Sequence, residues 1–305
     1  MQSIEIWQLA GSVSKLLSLL SIAGVVGGVF SIALVQLLDF PKQAKLLSYL
    51  LASAVLGFLA SLLFFLVQVG AINQNGVAGM LDPTMASIMA QSSLGHVTGL
   101  RLLSFASVFL VWFLYLRDQH LASQCQYYTK TAYLLLVAVI GLLVISFALS
   151  GHLSTLSMLA QTAIVFHVLT VFLWVGSLYP LLQLSTVTDL PKVQKLLRCF
   201  GNAALFIVAL LLTSGIYMLT QLLPSFSAVV GTPYGLTMLL KLTGVGCLLA
   251  LAALNKLLLV PRLTSHNSTR LVQTSIRMEI IFALLILLVT TWLTTTLSPP
   301  LASLR

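Results

Sequence analysis

Between Lys130 and Asp189 the chain runs from Thr131 to Thr188 without one Asp, Glu, Lys or Arg. A second such run extends from Cys199 to Leu240. A helix needs only about 20 apolar residues to cross the hydrocarbon core of a bilayer. Each run is at least twice as long as one crossing and must fold back as a hairpin. The turn residues agree: Ser150-Gly151-His152 interrupts the first run, and Leu223-Pro224-Ser225 followed by Gly231-Thr232-Pro233 interrupts the second. Over all 305 residues only 7% are charged and 59% are hydrophobic, with a mean hydropathy of +1.07. A soluble domain carries about 25% charged residues, so a water-soluble globule is excluded. Disorder is excluded too, because it requires low hydrophobicity and high charge.

The charged residues divide the apolar stretches into eight expected spans, near residues 14–38, 46–71, 97–117, 131–151, 159–184, 200–222, 235–258 and 273–297. The expected fold is an all-α membrane protein, one polytopic domain over residues 1–305 with eight transmembrane helices. The stretch from Leu16 to Leu38 is free of charge, too long for the apolar region of an ordinary signal peptide, and reads as the first helix. Of the 15 Lys and Arg residues, 11 fall on or beside alternate connections, those around 39–45, 117–130, 192–198 and 256–277. The positive-inside rule places those connections in the cytoplasm and both termini in the periplasm. The formal net charge of +9 is thus an orientation signal and not a nucleic-acid footprint. A short pattern, Gly95-x5-Arg101, recurs four expected spans later as Gly235-x5-Lys241 and fits two parallel four-helix halves, 1–155 and 156–305.

Topology sorts the five histidines. His120 and His266 fall in inner polar loops, where an ordinary solvated role suffices. His96, His152 and His167 lie at the outer face or in the outer half of the membrane, where an ionisable side chain is costly and marks function by default. His167 is the deepest, about 13 Å below the outer boundary at about 1.5 Å per residue. Its imidazole either serves as a ligand or bonds a Ser or Thr of a neighbouring helix. His152 sits at the turn beyond the fourth span, next to the helix of His167. His96, at the mouth of the third span, is a third ligand or an interfacial residue.

The outer connection between the second and third spans carries Met80, Met85 and Met89 and no Lys or Arg. Thioether favours soft Cu(I) and imidazole serves either copper oxidation state, although Met also fills gaps between helices. The three cysteines, Cys125, Cys199 and Cys247, form no Cys-x-x-Cys pair. Two cations fall inside spans, Arg101 and Lys241, the latter with Tyr234 and Met238 on its face. Either they snorkel to headgroups or they act as fixed charges beside a pathway. Glu279 is the one carboxylate well inside a span, and a Lys or Arg partner from another helix is expected. No phosphate-binding Gly-rich loop, His-Glu-x-x-His or Gly-x-Ser-x-Gly motif occurs, so an enzyme of those classes is not expected.

Several strings resemble the copper resistance protein D (CopD) family of bacterial inner-membrane proteins, most clearly over residues 145–300. They include Ala148-Leu149-Ser150-Gly151-His152, His167-Val168-Leu169 leading to Trp174-Val175-Gly176-Ser177-Leu178, and Leu212-Thr213-Ser214-Gly215-Ile216-Tyr217. Further on come Gly231-Thr232-Pro233-Tyr234-Gly235, Leu254-Asn255-Lys256 and Arg277-Met278-Glu279. Residues 1–90 resemble the family in hydropathy alone. The resemblance implies a multi-pass protein of the inner membrane that handles periplasmic copper, with His152 and His167 at the family's characteristic histidine positions. It also implies a separate periplasmic copper-binding protein C (CopC-like) chain as partner beside the lipid bilayer.

The expected function is a copper permease accepting the ion at His152 and His167, with His96, Met80, Met85 and Met89, and moving it inward past Trp174, Tyr234, Met238, Lys241, Arg101 and Glu279. The alternative is a redox membrane protein whose helical histidines hold haem b or flank a quinone. A second alternative is a non-transporting membrane partner in copper delivery.

Overall fold

A computed structural model describes residues 2–38, 43–119, 125–150, 157–222 and 226–297. Every regular element among them is helical. Long helices are α1 (Gln2–Leu37), α2 (Gln43–Asn73), α5 (Ser93–Gln119), α6 (Cys125–Ala148), α7 (Met158–Leu184), α8 (Leu190–Leu222), α10 (Pro233–Leu254) and α11 (His266–Thr295). Between them stand the short helices α3 (Gly76–Gly79), α4 (Pro83–Ala90) and α9 (Phe226–Gly231). Seven of the described helices are long and apolar enough to cross a membrane, and the apolar part of α6 is the shorter segment Ala132–Ala148. The boundary expected between two halves falls within 151–156, outside the described residues, as do His120 and His152.

Several helices run past their expected ends because capping side chains start them early. Asp189 accepts the Lys192 backbone N–H at 3.2 Å, with Pro191 in the first turn, so α8 begins well before the span expected from residue 200 and its basic stretch is helical. Ser265 and Ser268 form a reciprocal cap that starts α11 at His266. The outer connection expected as loop contains α4, begun by the Asp82 side chain on Met85 N–H at 2.8 Å and by Pro83 at the first helical position.

α1 is the central helix, with 83% of its most apolar window buried by protein. It packs mainly on α2 and α7 and also reaches α6, α8 and α11. The chain then winds around it: α2 on α5, α5 on α6, α6 on α7, α7 on α8 and α11, and α11 on α10. The crossing of α1 with α7 is a backbone contact, since a Cβ on Gly176 would stand 1.7 Å from the Ala23 carbonyl oxygen. A Cβ on Gly27 would stand 2.1 Å from the Gly176 carbonyl carbon. Lipid tails are as apolar as Leu, so small residues that admit close approach are what hold such helices together. Two interhelical bonds add direction there: Tyr49 Oη donates to the Gly176 carbonyl at 3.0 Å and Ser177 Oγ to the Gly27 carbonyl at 3.4 Å. Half of the Trp174-Val175-Gly176-Ser177-Leu178 string is thereby explained as packing.

Candidate functional site

His167 lies in α7 and its ring rests on α8. Ser214 Oγ is 3.4 Å from Nδ1, and a Cβ on Gly215 would stand 3.2 Å from the ring carbon Cε1. The absence of a side chain at Gly215 gives the ring its room on this face. The single hydroxyl proton of Ser214 is directed at the Leu210 carbonyl, 2.6 Å away. The donor between Ser214 Oγ and Nδ1 is set by the tautomer of the ring. Two strings far apart in sequence, His167-Val168-Leu169 and Leu212-Thr213-Ser214-Gly215, thus meet at one point. Ser214 and Gly215 were not expected as site residues, and the adjacency of a small hydroxyl and a Gly inside a span is the signal that points to them.

Trp174, two turns further along α7 and on the same face, is 2% exposed. Its indole N–H donates to the Glu279 carboxyl on α11. Asn255, at the end of α10, donates its amide to Glu279 Oε1. The cationic partner expected for Glu279 is corrected: its hydrogen-bond partners are neutral donors, and Lys192 with Asp189 is the one ion pair among the described residues. Lys256, the neighbour of Asn255 in sequence, is directed instead at the Gly201 carbonyl and Asn202 Oδ1. A π-helical turn, Asn255–Leu259, closed by Val260 N–H on the Asn255 carbonyl at 2.9 Å, sets the direction of Asn255 and Lys256.

The remaining expected residues are placed as follows. Arg101 directs Nε to Ser146 Oγ at 3.0 Å and lies over the Phe147 ring, 4.6 Å from its centroid, so α6 holds it within the protein. Tyr234 and Met238 are buried together with Leu293 of α11. Met85 and Met89 are half-buried one turn apart on α4, which packs on α2 and α5, and Met80 lies over Gly70 beside Trp7. His96 is exposed in the first turns of α5. Among the described residues no three His, Cys, Asp or Glu side chains converge on one point.

The fold and these interior polar groups define a multi-pass helical membrane protein. The family model described as "Copper resistance protein D-like, N-terminal domain" matches residues 6–157, and that described as "Copper resistance protein D" matches residues 194–293. The chain belongs to the copper resistance protein D family and is a copper-resistance membrane protein. The N-terminal match extends the likeness through residues 6–90, beyond the hydropathy that the sequence strings alone supported. No curated protein and no solved structure matches the chain.

Proposed function

We propose that the chain is a copper permease of the bacterial inner membrane, which accepts copper at a periplasm-facing site centred on His167 and passes it toward the cytoplasm. The observation that carries this reading is the setting of His167: an imidazole inside a span, its Nδ1 beside Ser214 Oγ of the neighbouring helix. Family membership supplies the cargo, and an oxygen beside one ring nitrogen is the usual support of a metal-binding histidine. His152, at the turn joining α6 to α7 and outside the described residues, is the second ligand of this reading. His96, Met80, Met85 and Met89 form the outer collecting surface. In this account α6 is the eighth span, both termini are periplasmic, and a separate CopC-like chain delivers the ion. Inward of His167 the same face of α7 leads to Trp174 and Glu279, while Lys241 and Arg101 with Tyr234 and Met238 flank the route.

The test is copper accumulation in cells carrying equal membrane levels of the wild type, His167→Ala, and His152→Ala with His167→Ala. Both variants are expected to fall to the level of cells without the protein. Accumulation equal to that of wild type in the double variant overturns the proposal.

A further inference from the structure

α8 and α10 follow one another in the chain, yet among the described residues they barely touch, α8 packing on α7 and α10 on α11. The described side-chain bonds between them lie at one end. Lys256 Nζ donates to the Gly201 carbonyl at 2.9 Å and to Asn202 Oδ1 at 2.7 Å, and Gln194 Nε2 donates to the Val260 carbonyl at 2.9 Å. Away from that tie the two helices leave a cleft of about 230 Å³. Its lining includes Leu205 and Ala253, both exposed and so turned toward lipid, which makes the mouth lateral. Trp174 of α7 and Glu279 of α11 lie on its floor, and Phe200 of α8 is one wall.

The polar side chains lining this apolar cleft are Trp174, Glu279, Asn255 and Lys256, the last already bonded to Gly201 and Asn202. Glu279 takes hydrogen bonds from Trp174 and Asn255, and Asn255 Oδ1 is buried without a partner. A buried acceptor without a donor is costly, and an acyl chain cannot supply one. A hydrated ion does not suit walls of Leu, Val and Phe, because apolar cavities stay dry. An occupant that suits both the apolar walls and the unpartnered acceptor is apolar, enters from the bilayer and carries an O–H. A dry cavity of about 150 Å³ holds benzene, so this cleft takes one substituted ring, flanked by Trp174 and Phe200.

We propose that the cleft between α8 and α10 binds a membrane hydroquinone, its hydroxyl donating to Asn255 Oδ1 and Glu279 and its apolar tail leaving between Leu205 and Ala253. This goes beyond copper handling and does not depend on it. The full-length protein in lipid nanodiscs is titrated anaerobically with a decyl-substituted 1,4-hydroquinone, and binding is read by calorimetry. Saturable one-site binding is expected. The dimethyl ether of the same ring, which has no O–H, is expected to bind about tenfold more weakly or worse. Ala253→Trp, at a lipid-facing position where folding is not at stake, is expected to abolish binding, and Glu279→Gln to weaken it. His167→Ala is expected to leave it unchanged, which separates this proposal from the copper reading. Unsaturable partitioning, equal binding of the ether, or full binding to Ala253→Trp overturns it, since each means that lipid tails alone occupy the cleft.

Discussion

Gly176→Ala is the substitution to which this architecture is most sensitive. The added Cβ would stand 1.7 Å from the Ala23 carbonyl oxygen, where real Cβ contacts essentially never fall below 3.0 Å. The obstacle is main chain, so α1 and α7 must separate by more than about 1 Å at their crossing, a displacement that close-packed helices do not absorb without loss. Overpacking of this kind costs about 1–3 kcal/mol. The separation also stretches Tyr49 Oη to Gly176 O and Ser177 Oγ to Gly27 O, at 3.0 and 3.4 Å, beyond bonding distance. Interhelical bonds in membranes are worth about 0.6 kcal/mol each, which brings the expected loss to about 2–4 kcal/mol. Equilibrium unfolding in mixed detergent micelles measures it, with Gly215→Ala as the comparison. There the new Cβ would meet only the edge of the His167 ring at 3.2 Å, and a loss below about 1 kcal/mol is expected because a side chain can move. A Gly176→Ala protein within about 0.5 kcal/mol of wild type would refute the backbone contact between α1 and α7.

Trp174→Phe removes the indole N–H from Glu279 and shrinks a buried side chain, and a stability loss of about 1–3 kcal/mol is expected in the same unfolding assay. Arg101→Met deletes the bond to Ser146 and the stacking on Phe147; a loss of about 1–2 kcal/mol is expected, most of it absent if Arg101 merely snorkels to lipid. Asp82→Ala removes the cap of α4 at a local cost of about 1 kcal/mol. Limited proteolysis should then cut faster within 83–90 while global unfolding stays within error of wild type.

The long uncharged runs make the membrane helices legible, because only helices and closed barrels satisfy their backbone in lipid and barrel strands alternate apolar with polar residues. The hairpins were legible as well, since Thr131 to Thr188 and Cys199 to Leu240 each exceed one crossing and Gly, Pro and Ser mark the turns. Helix starts at Asp82, Asp189 and Ser265 were less so, because a polar side chain beside an apolar run reads as loop until its cap is seen. The site divides in the same way. His167 stands out by residue type, but its seat on Ser214 and Gly215 depends on how α7 rotates against α8, two helices whose contacting side chains are far apart in the chain. The rule that a buried carboxylate takes a cationic partner failed for Glu279, because two neutral donors, Trp174 and Asn255, reach it from α7 and the end of α10. The role of Gly176 was hidden for a related reason: a small residue in a span acquires meaning only from the backbone opposite it, here Ala23 and Gly27 of α1.

The central claim is that the imidazole of His167 binds copper, and X-ray absorption at the copper edge of the purified, copper-loaded protein tests it most directly. Wild type is expected to show bound copper with imidazole nitrogen in its first coordination shell, and His167→Ala to lose that nitrogen signal together with the tightly held metal. Copper bound to His167→Ala in wild-type amount and with an unchanged nitrogen shell would contradict the account.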